Sequence, residues 1–575
     1  MHKALKIIII AIALTAAGIT CIIVLVNLNA GFDVTDESYY ILSAQYPGDV
    51  LNSITFFGYV THVLFLLSFG NLALFRLYGI MLSCASFIYL AYRTFLYVKL
   101  PLERWFMPSI GVISLLHFVF AGQYFLVTSS YNTLAFVATC LFCASCLGLL
   151  LGEKSKYLNA DNMVLVFSGW LAFLSKPPLA AVLLLLYITY VIRQLIIKDK
   201  KRALVQLSVN LGLLAVLILA QLAVTPAGLS GFIKLIMNGL EYQKVMQHGG
   251  DNILAFIKDL LRNFIYISPE KALMFVVFPA LATYITRNNV KNYALKDIYL
   301  LFSFYLVVSA FFRAGKSLVF IDILYPILSV FMVLILGALL ARLKDMISKS
   351  KFADIRAVQE RINGKSEPIP GLYRLIVVSI LFIVVVMGAT IGTNNLYHVY
   401  MIYYMPLCLL YFIVLFHKVT DSLSHTRILV IALSVISAIF VFESFNTPYR
   451  NTEPLKMQKQ YIKLRGLNER IRVSDSLSKY ARSLQAIADN NGWKKGMYLL
   501  DMTGATPGAN LILGAKFISM PWQIGGYGGS EQLLRKNVNI FYQIKNNETV
   551  KPWILIAENS ERKIEAKAQI GRAHV

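Results

Sequence analysis

Three carboxylates stand close together in the stretch Gly31-Phe-Asp-Val-Thr-Asp-Glu-Ser-Tyr-Tyr40: Asp33, Asp36 and Glu37. They follow an apolar run from Leu5 to Leu28 that is long enough to cross a bilayer, so they fall at or just past its far face. An acid there is costly unless it is solvated, paired or used. In use, such a carboxylate deprotonates or orients an acceptor hydroxyl, and Tyr39 and Tyr40 lie close enough in sequence to orient it or the substrate. The plainer reading is a solvated loop that caps the next helix, with Thr35 or Asp36 as N-cap and Ser38 to Ala44 as the first turns.

A second set of groups is cationic. Lys176 in Leu174-Ser-Lys-Pro-Pro178, and Arg313 with Lys316 in Phe311-Phe-Arg-Ala-Gly-Lys-Ser317, sit at the mouths of apolar segments where basic residues are otherwise scarce. Arg by a bidentate fork and Lys as a point charge would hold an anionic headgroup, such as a donor phosphate. The alternative is snorkelling to lipid phosphates. Asn394 and Asn395 in Gly392-Thr-Asn-Asn-Leu396 offer hydrogen-bonding groups that would orient a substrate, or else make an ordinary tight turn. Ser129-Ser-Tyr-Asn-Thr133 is a weaker case of the same kind. Together, cations that stabilise a departing phosphate and a carboxylate that prepares an acceptor hydroxyl fit attack at the anomeric carbon of a phosphate-linked sugar.

The elements that would position these groups are membrane helices. The chain is 57% hydrophobic and only 15% charged, with mean hydropathy +0.64, a balance that no water-soluble globular composition matches. Apolar runs predict an all-α polytopic protein with spans near 5–28, 72–92, 105–121, 131–151, 162–175, 178–192, 203–224, 271–286, 298–312, 318–341, 372–392, 399–416 and 427–445. The segment 53–69 carries His62 and several Gly, Ser and Thr breaks, and is expected to be re-entrant or to lie on the membrane. With that choice, twenty-four Lys and Arg fall in loops on one side and eight on the other, which places the N-terminus in the cytoplasm and the acidic loop outside. The net charge of +24 then reports topology, and no nucleic-acid role follows from it.

The first outer loop is 29–71, and a second long one is 225–270. The segment Leu229 to Met246 in the latter has helical apolar spacing suited to an interface. All six cysteines lie in apolar segments, and Cys140, Cys143 and Cys146 read as packing residues. The start Met1-His-Lys-Ala-Leu-Lys6 resembles a signal peptide, but the run after it is too long, so it reads as an uncleaved first span. Residues 446–569 turn polar and read as an extracytoplasmic α/β domain, with a helix over 475–490 and strands at 497–500, 516–519 and 553–557. The turn Gly525-Gly-Tyr-Gly-Gly529 lacks the spacing of a phosphate-binding fingerprint. Residues 570–575 match one reading frame of a common sequencing adapter, and nothing is drawn from them.

Several short motifs recur in order along the span region, residues 1–445. They are Asp36-Glu37 in a long first outer loop, Phe69-Gly70 ending an interfacial helix, Arg76-Leu77 opening the next span, and Lys176-Pro177 ending a short one. The layout resembles the GT-C superfamily of membrane glycosyltransferases, of the bacterial lipid A aminoarabinose transferase and protein O-mannosyltransferase type. The resemblance implies that Asp36 takes the catalytic acidic role and that the donor is a polyprenyl-phosphate sugar. The acceptor would be a cell-envelope glycan, a lipid or a protein at the outer face of the cytoplasmic membrane. Where the aminoarabinose transferases carry a Lys-Pro-Pro-Leu type of motif in the first outer loop, this chain has Asn52-Ser-Ile-Thr-Phe56. No cofactor motif is present, and a divalent metal is left open. Two other readings are a flippase for lipid-linked oligosaccharide, and a polysaccharide polymerase or ligase. The last would rely on His248, Asp251 and Arg262, or on Arg313, rather than on Asp36.

Overall fold

The computed structural model describes residues 3–101, 103–120, 123–124, 127–151, 160–197, 200–245, 370–391, 402–420, 423–467, 469–545, 551–557 and 560–564. The expected spans at 271–286, 298–312 and 318–341 lie outside the described residues. So do Arg313, Lys316, Asn394 and Asn395, and His248, Asp251 and Arg262 of the second long loop.

Among the described residues the chain is mostly helical. Long apolar runs become helices because a backbone away from water must satisfy its hydrogen bonds within its own segment. In order come α1 (Lys3–Val26), α2 (Asp36–Gln45), α3 (Phe57–Leu67), α4 (Leu72–Val98), α5 (Phe106–Ser114), α6 (Tyr131–Leu151) and α7 (Ala160–Ser175). They continue with α8 (Pro177–Ile197), α9 (Lys200–Val224), α10 (Gly228–Val245), α11 (Pro370–Thr390), α12 (Met405–Thr420) and α13 (Leu423–Ser444). Five of these, α4, α6, α8, α9 and α13, are long and apolar enough to cross a membrane. At eleven residues α3 is only about 16 Å long, roughly half the hydrocarbon thickness.

The bundle packs α4 against α6 and α6 against α7, with α1 lying on α5 and α13. Its core is aromatic, with Phe87, Phe95, Phe106 and Phe136 fully buried. Cys140 and Cys143 are buried without a disulfide on α6, in the packing role their spacing suggested. Ion pairs brace the end of the bundle where α4 finishes: Arg93 binds Asp161 at 2.7 Å, with the Tyr89 hydroxyl donating to the same carboxylate, and Arg427 pairs with Glu103.

A two-residue antiparallel pair, β1 (Val119–Phe120) with β2 (Gln123–Tyr124), lies between α5 and α6. After Ser444 the chain forms short strands and amphipathic helices. Strands β3 (Gln460–Leu464) and β4 (Glu469–Val473) pair antiparallel, opposing Ile462 to Ile471, so that Ile462, Leu464, Ile471 and Val473 share one buried face. Helix α14 (Asp475–Asn490) starts where the sequence placed it, because the Ser474 hydroxyl accepts from the Leu477 amide. Strands β5 (Leu499–Asp501) and β6 (Trp553–Leu555) overlap the expected runs at 497–500 and 553–557, and they pair in parallel. The expected strand at 516–519 is reduced to a single bridge between Lys516 and Tyr498. The β3–β4 hairpin and the helices α15 (Gly508–Leu513) and α16 (Ser530–Lys545) were not foreseen.

This polar region shares a core with the acidic loop. Phe32 of the loop, Ile41 and Leu42 of α2 and Phe75 of α4 are buried together with Ile462, Leu464, Val473, Leu511 and Phe517. Taking this apolar surface out of water holds the two parts together.

Candidate active site

The acidic stretch is held from three directions. The Gly31 amide donates to the Arg472 carbonyl at 2.9 Å and the Arg472 amide to the Asn29 carbonyl at 3.1 Å, so the loop extends the edge of β4. The Gly508 amide donates to the Val34 carbonyl at 2.8 Å. A side chain at Gly508 would meet the Val34 backbone at 2.8 Å, so this approach requires glycine. On the opposite side the carboxylate of Glu469, on β4, accepts from the Leu72 amide and from the Asn71 side chain, and so caps the start of α4.

Within that frame the three carboxylates have different surroundings. Glu37 is 2% exposed and faces Arg76, itself 1% exposed, in a two-pronged pair: Nε donates to Oε1 at 2.8 Å and Nη2 to Oε2 at 2.9 Å. Thr128 also donates to Oε1, and the Asp33 amide to Oε2. The 127–130 segment that carries Thr128 can approach α4 because residue 79 is glycine; a Cβ there would lie 2.7 Å from the Val127 carbonyl.

Asp33 is also buried, and its carboxylate is turned inward as a local cap. Its Oδ1 accepts from the Thr35 amide at 2.9 Å and the Thr35 hydroxyl at 2.5 Å, and its Oδ2 from the Glu37 amide at 3.3 Å. Thr35 occupies the N-cap position of α2, but its own side chain makes no cap bond; Asp33 does that task. Burial pushes the Asp33 carboxyl up, while its bonds to Thr35 pull it down.

Asp36 differs from both. Its side chain is 23% exposed and meets Arg450 Nη1 at 3.0 Å. The Tyr449 hydroxyl also donates to it. Burial, then the neighbouring Asp33 charge, pushes the Asp36 carboxyl up to about 6, with Arg450, Tyr449 and Arg562 opposing. A carboxylate that titrates near neutral pH is suited to accept and return a proton.

Aromatic rings wall this place. Tyr40 packs edge-on against Tyr39, Phe57 and Tyr131, with ring centres 5.7 to 5.9 Å apart. The Tyr39 hydroxyl lies 3.3 Å from Ser53 Oγ. Tyr403, just before α12, is buried within reach of the Asp36 charge. Segment 129–133 serves as the start of α6, where Ser130 Oγ accepts from the Thr133 amide. His62 on α3 is explained by a 2.7 Å contact between Nδ1 and the Ala44 carbonyl, which docks α3 on α2.

Lys176 is also buried. It lies between α7 and α8, and its ammonium donates to the Ala389 carbonyl in the last turn of α11, where carbonyls lack helical partners. Among the described residues no group of three or more His, Cys, Asp or Glu side chains could hold a metal ion.

Sequence reasoning found the acidic trio but not its partners. Arg76 was visible as a guanidinium inside an apolar helix, which signals a buried partner. Tyr449, Arg450 and Arg562 gave no signal, since only folding brings residues more than four hundred positions away to Asp36. No family model matches this chain, and no curated protein and no solved structure matches it either.

Proposed function

We propose that this chain is an integral membrane glycosyltransferase of the GT-C kind, which moves a sugar from polyprenyl phosphate to an acceptor at the outer face of the cytoplasmic membrane. The observation that carries this reading is the distinct state of Asp36. Of the three clustered carboxylates, all pushed up by burial, it is the most exposed, whereas Asp33 and Glu37 are occupied with backbone amides, Thr35, Thr128 and Arg76. In this reading Asp36 takes the proton of the acceptor hydroxyl as it attacks the anomeric carbon, and the lipid phosphate leaves. Glu37 and Asp33 position α2 so that Asp36 faces outward, and Tyr39 and Tyr40 shape the wall.

About thirteen spans, with the N-terminus in the cytoplasm and residues 446–569 outside, complete the arrangement. A donor with long isoprenoid tails enters sideways from the bilayer, and the acceptor arrives from water. In this reading Lys176, Arg313 and Lys316 are among the cations that hold the donor phosphate. Transfer of radiolabelled sugar from a polyprenyl-phosphate donor, measured with the purified full-length chain and abolished in Asp36→Asn, tests the reading. Passage of a lipid-linked oligosaccharide across proteoliposomes with no transfer would overturn it in favour of a flippase.

A further inference from the structure

The pair formed by Asp36 and Arg450 differs in kind from the pair formed by Glu37 and Arg76. Arg76 and Glu37 are sealed from solvent, whereas the Arg450 and Asp36 side chains are 34% and 23% exposed. Both recorded polar contacts of the Arg450 guanidinium come from Nη1, one to Asp36 and one to the Thr35 hydroxyl. Among the described residues Nε and Nη2 make no hydrogen bond, so together they form a planar fork of donors left unused.

The backbone presents that fork deliberately. Arg450 has φ +54°, a conformation few non-glycine residues adopt. It is fixed there by neighbours: the Tyr449 amide donates to the Tyr124 carbonyl at 2.9 Å, and the Asn451 amide to the Pro448 carbonyl at 3.1 Å. The guanidinium also sits over the Tyr449 ring, 4.8 Å from its centre. An unusual backbone held by its surroundings at a candidate site is a mark of function.

We propose that Arg450 is a partner-exchanging residue: it holds the Asp36 carboxylate as seen here, and turns its free fork to a phosphate-class oxyanion of the ligand, releasing the carboxylate to act. The inference rests on the transferase reading and deepens it by assigning oxyanion recognition to the chain after α13. A planar five-donor cation matches a phosphate in two-pronged fashion, which explains arginine rather than lysine at this position. The exposed Arg562, close enough to oppose the upward push on Asp36, is a second cation on the same side. The other titratable groups that face Asp36 are Asp33 in the loop, Tyr39 on α2, Tyr403 before α12 and Tyr449 after α13.

The test uses the full-length chain in detergent and two chemical labels read by mass spectrometry. A water-soluble carbodiimide with an amine marks protonated carboxyls, and Asp36→Asn identifies the Asp36 signal. The labelling midpoint of wild type is expected near pH 6. In Arg450→Gln it should move upward by about one pH unit, because an opposite charge at this range lowers a carboxylate by one unit or more. Arg450→Lys should keep most of the wild-type midpoint. In the second arm, phenylglyoxal modifies arginine, and millimolar farnesyl phosphate should protect Arg450 while leaving the exposed Arg470 reactive. An unchanged midpoint in Arg450→Gln, or no protection of Arg450, overturns the proposal. Neither arm reads sugar transfer, so failure here and failure of the Asp36→Asn activity test are separate results.

Discussion

Arg76 directs all five of its N–H donors to Glu37 and to one short piece of chain. Two go to the carboxylate, and three go to the carbonyls of Leu28, Ala30 and Gly31 at 2.7 to 3.1 Å. The pair is therefore a clasp that ties the exit of α1 to the start of α2 and α4. Removing one partner leaves a buried charge uncompensated, which costs about 3 to 5 kcal/mol. Glu37→Gln and Arg76→Met should each lower the thermal midpoint of the purified protein sharply, and the double variant Glu37→Gln/Arg76→Met should recover part of the loss. A Glu37→Gln protein as stable as wild type would refute the clasp.

Asp36→Asn should behave differently. The carboxyl is raised to about 6 in the fold, above its ordinary 3.8. A raised carboxyl binds its proton more tightly when folded, so its stabilising share is complete below pH 4 and is lost as pH rises through 6. At pH 7.5 the ionised form is a burden to folding, and the asparagine variant should be at least as stable as wild type. Transfer should nevertheless fall by roughly 10² to 10⁴, the range for a lost general base. Thermal melts and initial rates on the same preparations check both halves.

The same shift fixes the pH dependence of the reaction. A base must be ionised to act, so activity should rise with unit slope through about pH 6 and level off above it. A rate that falls between pH 5 and pH 7 would contradict Asp36 as the base.

Gly79 offers a test at a distance from the chemistry. A methyl group at this position would press on the Val127 carbonyl at 2.7 Å and on Ser129, moving the segment that delivers Thr128 to Glu37. Gly79→Ala should cost about 1 to 3 kcal/mol by overpacking, in spite of the gain in helix propensity that alanine brings. Denaturation of the variant in mild detergent measures this.

Orientation can be checked by labelling. Cysteines at the exposed positions Lys459 and Gln532 should react with a membrane-impermeant maleimide in intact cells, and one at Ser350 should not. Labelling at Ser350 alone would invert the topology.

Among the described residues most helix positions were legible, because long apolar runs bounded by charge or proline have few other outcomes. Pro177, at the first position of α8, marked one boundary. The hairpin Gln460–Val473 was hidden because its two strands bury only four residues, spread among Lys and Arg that also suit a loop. In the site, types were readable and roles were not. Asp33, Asp36 and Glu37 are equivalent as letters, and only Arg76, Thr128 and Arg450, brought in by folding, tell them apart.

The hydrogen bonds from Gly31 to Arg472 and from Gly508 to Val34 impose an order on biosynthesis. The acidic stretch leaves the ribosome first, yet its resting place is built from chain made some four hundred residues later. Until translation is nearly complete, the loop before α2 lacks its partners Arg472 and Gly508, and Asp36 has neither Arg450 nor Tyr449 beside it. A nascent or prematurely terminated chain therefore lacks the guanidinium and the hydroxyl that set Asp36 apart from Asp33 and Glu37.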